Sequence, residues 1–329
     1  MEAMNPFETV MRLTSGYWLS RCLHVVADLG VADKLGESPQ SVASLAEAVN
    51  ADAGALSRVL RLLSSVGVFE SRGDTYAHTD ASRFLRSDHP MSLRAFVRMT
   101  GLPMCWDSYG ALESTVRTGV PAVRKVVGNP FEWFASHPDE ARIFEQAMTG
   151  KAFAQVAGVV ASYDFSAFKN VGDIGGGRGH LLQAVLQAAP SARGVLFDLP
   201  HVVGAASGIA SDRIELKGGD FFKDSLPSCD AYLLMEVIHD WPDAEAKSIL
   251  SAIRRAAPPN AKLLLLETPL PTEPGPHWVK GLDVHMMVMV GGRERTQAEY
   301  DALLASSGFK LARTIPTPSG VAIFEAVPS

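Results

Sequence analysis

Apolar positions along the first hundred residues recur at helical spacing, whereas those beyond about residue 165 gather into short runs. Trp18, Leu19, Cys22, Leu23, Val26 and Leu29 repeat at steps that predict a helix within 17–35. Ser41 opens a second segment, in which Ser44 and Glu47 have the spacing of a capping box. Leu56, Val59, Leu60, Leu62 and Leu63 predict a helix over 53–66, which Gly67 ends. Two short strands, 68–70 and 75–77, then flank the turn Ser71-Arg72-Gly73-Asp74. Helices followed by a β-ribbon describe a winged helix.

A winged helix invites a DNA-binding reading, and charge decides against it. Residues 31–98 hold Lys34, Arg58, Arg61, Arg72, Arg83, Arg86, Arg94 and Arg98 against Asp33, Glu37, Glu47, Asp52, Glu70, Asp74, Asp80 and Asp88. These cancel, so the electrostatic footprint of a nucleic-acid surface is missing. A regulator that senses a small ligand is disfavoured on the same ground, and the segment reads as a protein–protein contact.

The second part alternates strand and helix. Asn170-Val171-Gly172-Asp173-Ile174 leads into a glycine cluster and a helix over 180–189. Strands are predicted at 194–198, 214–216, 231–235 and 262–267, with a helix over 243–257 between the last two. The run 262–267 is apolar on both faces, as in a buried parallel strand. Segments 311–315 and 321–326 form an antiparallel hairpin around Pro316-Thr317-Pro318-Ser319-Gly320. The predicted class is α/β, a doubly wound sheet with an antiparallel edge hairpin, behind an α-helical winged-helix domain. The division is placed between residues 105 and 106.

Bulk composition narrows the class further. Hydrophobic residues make up 47% and charged residues 20%, ordinary for a globular chain, and the net charge of −6 disfavours nucleic acid. Cys22, Cys105 and Cys229 form no C-x-x-C pair, which argues against a disulfide framework and a cysteine metal site. MEAMNPFETV lacks the pattern of a signal peptide, and no apolar run is long enough to span a bilayer. The expected setting is the cytoplasm, with no membrane partner and no metal.

The chemistry concentrates at strand ends. Asp173-Ile174-Gly175-Gly176-Gly177-Arg178-Gly179 sits where an open α/β sheet binds its ligand, and glycines there let a ligand approach the backbone. Asp198 ends the next strand, where a carboxylate takes both hydroxyls of a ribose. Asp220 follows Gly218-Gly219 and precedes Phe221-Phe222, an acid and a ring suited to an adenine. No Walker lysine is nearby, so ATP is disfavoured, and NAD is the remaining alternative with only Arg178 to meet a pyrophosphate. Acids at three successive strand ends fit S-adenosylmethionine best.

His239-Asp240-Trp241-Pro242-Asp243 follows the 231–235 strand, which puts His239 at the carboxyl end of the sheet. An ordinary imidazole pKa of about 6.5 suits a general base. Glu267 ends the neighbouring strand and is expected to hold the His239 Nδ1–H, leaving Nε2 to take a proton. Glu294 lies in Gly291-Gly292-Arg293-Glu294-Arg295 as a further carboxylate. A helix cap at His239-Asp240 and an arginine pair at Glu294 are the alternative readings.

With these residues the chain resembles the S-adenosylmethionine-dependent O-methyltransferases of the plant caffeic acid type, and within them the bacterial enzymes of secondary metabolism. The resemblance runs over nearly the whole chain, through VGDIGGGRGH (171–180), FDLPHV (197–202), GGDFF (218–222), HDWPDAEAKSIL (239–250), LLLLETPLP (263–271) and GGRERTQAEYDALLASSGF (291–309). It implies methyl transfer to a hydroxyl of a small aromatic metabolite, with His239 as base flanked by Glu267 and Glu294. It implies a cofactor set of Asp173, Gly175, Gly176, Gly177, Asp198, Leu199, Asp220 and Phe221. Met235 joins that set at the position where plant members carry a cofactor-contacting lysine, so this chain departs from them there.

Trp106, Trp133, Phe134, Phe144, Met148 and Phe153 form an aromatic- and Met-rich span, and 283–289 adds more methionine. Such spacing reads first as core and second as a pocket for a flat molecule. By resemblance, Trp133, Met148, Asp240, Met286 and Met287 would line the acceptor. Trp18 would reach the partner's pocket in an intertwined homodimer. Same-fold enzymes that hydroxylate, decarboxylate or rearrange are the competing reading; they often lose the histidine or its carboxylates, which this chain keeps.

Overall fold

The structure, a computed structural model, describes residues 5–329. It divides into two compact units that interleave in sequence. One comprises the chain up to Asp107 with Val127–Lys151, the other Ser108–Val126 with Ala152–Ser329.

In the first unit the helix Gly16–Leu29 stops at Gly30, whose φ of +70° turns the chain. The helix Val42–Ala48 begins at Ser41, whose Oγ accepts from the Ser44 N–H at 3.2 Å. The cap therefore lies one turn before the Ser44/Glu47 box expected from spacing. The cause is long-range: the Val42 N–H donates to Asp74 O at 2.9 Å, and β1 (Gln40–Ser41) pairs with β3 (Thr75–His78). Asp52 caps the helix Ala53–Ser64, its Oδ1 accepting from Ala55 N–H at 2.7 Å. That helix buries Leu56, Leu60 and Leu63 against Phe69 of β2 (Phe69–Arg72) and Tyr76 of β3. The antiparallel sheet has the order β1-β3-β2, which is the expected ribbon plus one short strand.

The second unit is built on a seven-stranded sheet. Its strands are β4 (Asn170–Ile174), β5 (Arg193–Asp198), β6 (Ile214–Gly218), β7 (Ala231–Met235), β8 (Lys262–Glu267), β9 (Phe309–Pro316) and β10 (Ala322–Pro328). The order is β6-β5-β4-β7-β8-β10-β9, parallel from β6 to β8 and antiparallel at β10 and β9. Leu263 to Leu266 are fully buried because both sheet faces are covered. The helix His180–Ala188 buries Leu181, Leu182, Val185 and Leu186 on one face. The helix Asp243–Ala256 buries Ile249, Leu250 and Ile253 on the other. Strand order reverses at β4, with β5 on one side and β7 on the other, so a crevice opens past their carboxyl ends. No described helix is long and apolar enough to cross a membrane.

Candidate active site

The glycine turn after β4 is shaped by what a side chain would meet. Gly175 and Gly177 take φ of +71° and +59°, conformations that L side chains rarely adopt. A Cβ on Gly176 would lie 2.4 Å from Asp173 Cγ and 2.6 Å from Leu196 Cδ1, so only hydrogen fits. The Gly175 N–H donates to Phe197 O at 2.8 Å, tying the turn to β5. The Gly177 and Leu199 N–H groups donate to the two Asp198 carboxylate oxygens at 2.8 and 2.7 Å. Asp198 is thereby aimed from the end of β5, with further lone pairs for a ligand.

Asp173 lies fully buried under the turn. Burial, with the Asp198 charge adding to it, pushes its carboxyl up to about 7. Its Oδ2 has no hydrogen-bond partner. Asp220 accepts from the Phe222 N–H at 2.9 Å and pairs with Lys223 at 2.8 Å, which holds its pKa below the usual range. The Phe221 ring reaches within 3.8 Å of the Gly175 Cβ position and meets Trp241 edge-on at 6.0 Å. The structure thus brings Asp173, Gly175, Gly176, Gly177, Asp198, Leu199, Asp220 and Phe221 to the crevice, and Met235 ends β7 beside it. An open turn with a ribose-ready carboxylate and an orphaned buried oxygen below suits a cationic adenosyl cofactor.

His239 sits in the short turn Ile238–Asp240, 5% exposed. Its Nδ1 is 2.9 Å from Glu294 Oε1, and Glu294 is 1% exposed. Glu267 plays a different part from the one expected. Its Oε1 accepts from the Ile238 and His239 backbone N–H groups at 2.9 and 3.3 Å, and its Oε2 stands 3.8 Å from Nδ1. Glu267 holds the turn through Oε1 and Glu294 holds the ring, while Glu267 Oε2 stays beyond hydrogen-bond distance of Nδ1 and has no hydrogen-bond partner. Asp240 Oδ1 lies 3.5 Å from Nε2. Burial opposes an imidazolium, but the charges of Glu267 and Asp240, the Glu294 bond and the Glu236 charge outweigh it and raise the His239 pKa. Burial raises that of Glu267 as well.

Three supports escaped the sequence. Arg295, 1% exposed, donates twice to Asp243 Oδ1 (2.9 and 2.7 Å), to Ile238 O (3.1 Å) and to Trp241 O (2.8 Å), bracing both sides of His239. Asp283 Oδ1 accepts from the Glu294 N–H at 2.8 Å. Glu236 takes a φ of +52° at the end of β7. Arg295 stood inside a quoted motif, and an arginine next to a candidate buried acid was the available signal. Met286 and Met287 lie half-buried on the helix Trp278–Met289, which also carries Asp283. Trp133 and Met148 belong to the first unit. There Trp133 stacks on His137 at 3.7 Å and donates to Glu140 at 2.9 Å, while Met148 packs with Met99, Ile143 and Ala147.

The fold and this site define a methyltransferase, and comparison with known proteins fixes the class. An O-methyltransferase domain model matches residues 109–310 and an O-methyltransferase dimerisation domain model matches residues 11–88. The chain belongs to this family and is an S-adenosylmethionine-dependent O-methyltransferase. It is 40% identical to the phenazine O-methyltransferase PhzM of Lysobacter antibioticus, over 97% of this chain and 95% of that one. It is 36% identical to the mitomycin biosynthesis 6-O-methyltransferase of Streptomyces lavendulae, over 95% and 92%. The crystal structure of CalO1, a methyltransferase in calicheamicin biosynthesis in its SAH-bound form, superposes with a TM-score of 0.88 at 31% identity, covering 99% of this chain and 100% of that one.

Proposed function

We propose that this enzyme methylates a hydroxyl of a small aromatic secondary metabolite, with His239 as general base, and that it works as a cytoplasmic homodimer. The observation that carries the reading is the buried His239–Glu294 bond at 2.9 Å. A carboxylate on Nδ1 fixes the tautomer whose Nε2 carries the lone pair and steadies the imidazolium that forms. Gly175, Gly176, Gly177, Asp198, Asp220 and Phe221 would hold the cofactor, with Asp173, Leu199 and Met235 around them. When bound, S-adenosylmethionine supplies an electrophilic methyl on a sulfonium.

The chain's own work is proton removal and alignment. The acceptor hydroxyl gives its proton to His239 Nε2, and the oxygen, now carrying the pair, attacks. Phenol with neutral imidazole and phenolate with imidazolium hold the same atoms and charge, so a raised His239 pKa serves either order. Holding the oxygen in line contributes up to roughly 7–11 kcal/mol. Asp240, Met286, Met287, Trp133 and Met148 are the acceptor-lining set in this reading. The phenazine and mitomycin relatives support a flat aromatic acceptor. The dimerisation-domain match supports a homodimer, as do Phe7, Val10, Leu13 and Trp18, each more than half exposed.

His239→Ala tests the base. Turnover should fall at least about tenfold at neutral pH, general-base catalysis being worth about 10²–10⁴-fold, while S-adenosylhomocysteine binding survives. Unchanged turnover would mean that alignment of an already ionised phenol suffices. Methyl-labelled cofactor with a panel of hydroxylated phenazines, quinones and polyketides identifies the acceptor, and label on nitrogen or carbon would count against the reading.

A further inference from the structure

Beyond β6 the Phe221-Phe222 turn and the outer face of the helix Asp243–Ala256 border a groove of about 480 Å³, within the size range of small-molecule sites. One wall is aromatic. Phe222 is 41% exposed, and Phe221 at 4.9 Å and Trp241 at 4.8 Å hold its ring edge-on, so a ring that meets solvent is fixed in place. On the other wall Lys247, Ser251 and Arg255 recur every fourth residue and form one stripe of the helix, with Ser248 beside them. Among the described residues, the Lys247, Ser251 and Arg255 side chains have no ion-pair or hydrogen-bond partner, and no acid lines the groove. Ser248 Oγ donates to Ala244 O at 2.9 Å and keeps lone pairs to accept with. Arginines elsewhere on the surface meet acids, as Arg72, Arg83, Arg86 and Arg293 do. Two unmatched cations beside an exposed ring therefore stand out on a chain of net charge −6.

We infer that this groove is a second small-molecule site, separate from the cofactor crevice, and that it takes a flat aromatic carboxylate. The ligand ring packs on Phe222, and its carboxylate accepts from Lys247, Arg255 and Ser251. An uncharged ring would leave both cations unmatched, and an inorganic anion would leave the aromatic wall bare. An acidic protein fits less well, because a stable interface covers about 800 Å² on each partner and this stripe is one helix face wide. Phe221 lines the groove and also comes within 3.8 Å of the Gly175 Cβ position, so one ring separates the groove from the glycine turn. The inference depends neither on His239 being the base nor on the identity of the acceptor.

Calorimetry on the whole enzyme, with and without saturating S-adenosylhomocysteine, tests it with 2-naphthoate as probe and 2-naphthol as its uncharged counterpart. The variants are Lys247→Gln, Arg255→Gln, the two combined, and Phe222→Ala, with melting curves to show that each is folded. Exposed ion pairs are individually weak, so each single charge variant should weaken 2-naphthoate about threefold and the combination about tenfold. Phe222→Ala should weaken it about three- to tenfold through the lost ring contact. Wild type should prefer 2-naphthoate to 2-naphthol, and the double variant should bind the two alike. A molecule seated on the acceptor residues instead would bind wild type and every variant equally, and that result overturns the inference. So does an absence of 2-naphthoate binding, or its loss on saturation with S-adenosylhomocysteine, which would place it in the cofactor crevice. An effect of the charges with none of Phe222 would reduce the groove to an adventitious anion contact and overturn it too.

Discussion

Replacing Glu294 with Gln keeps the volume and an accepting oxygen at His239 Nδ1 and removes one negative charge. The bond concerned is 2.9 Å long between groups 5% and 1% exposed, so water screens it little. A hydrogen bond to a charged partner contributes about 1.5–3 kcal/mol against about 0.5–1.5 for a neutral one, a difference of about 1–1.5 kcal/mol. That is about one pKa unit of support for the imidazolium. The His239 pKa should therefore fall by about one unit in the variant, the neutral ring should appear at lower pH, and the ascending limb of kcat/KM should move acidward by the same amount. Its plateau should drop about three- to tenfold, because a weaker base takes the proton less readily. Stability follows the same sign. A raised folded-state pKa stabilises fully below the ordinary value of about 6.5 and is lost as pH rises through the folded value, so Glu294→Gln should flatten that loss. Initial rates with labelled cofactor from about pH 5 to about pH 10, with melting curves alongside, read both effects. A limb that stays in place, or moves alkaline, while the protein remains folded would refute the argument that Glu294 sets the charge of the ring.

Gly176→Ala should abolish S-adenosylhomocysteine binding while leaving the circular dichroism spectrum native, since the added Cβ would sit 2.4 Å from Asp173 Cγ; calorimetry showing wild-type affinity would disprove the steric reading. Arg295→Lys keeps the charge but loses the planar fork that reaches Asp243, Ile238 O and Trp241 O together. It should cost about 2–3 kcal/mol in urea unfolding and lower kcat more than S-adenosylhomocysteine affinity, and an unchanged kcat would show that the turn holds His239 without it.

How much of this was legible in the chain depends on how far the deciding contact lies along it. β4, β7 and β8 begin and end where their apolar runs do, because buried parallel strands carry their own signal. The helix start at Ser41 was readable too, but that Ser41 carries the cap in place of the Ser44/Glu47 box was not, because Asp74, more than thirty residues on, fixes it. The aromatic span is ambiguous for a different reason: Met148 packs among Met99, Ile143 and Ala147, and side chains that fill a core use the same spacing as those that line a pocket. The surroundings of His239 show the limit most clearly. His239, Glu267 and Glu294 were each readable from their place after a strand or before a helix. Which carboxylate meets the ring was not, because that depends on how the turn at 238–239 seats Glu267, whose Oε1 takes two backbone amides while its Oε2 stops 3.8 Å from Nδ1. Glu294 meets the ring instead, and the Asp283 bond to the Glu294 backbone helps to place it. Arg295 then follows as a consequence: a turn carrying a buried imidazole among acids leaves carbonyls at Ile238 and Trp241 that need a donor, and a buried guanidinium supplies both. Glu294 and Arg295 are therefore one device, in which Glu294 holds the His239 ring and Arg295 keeps its turn in place.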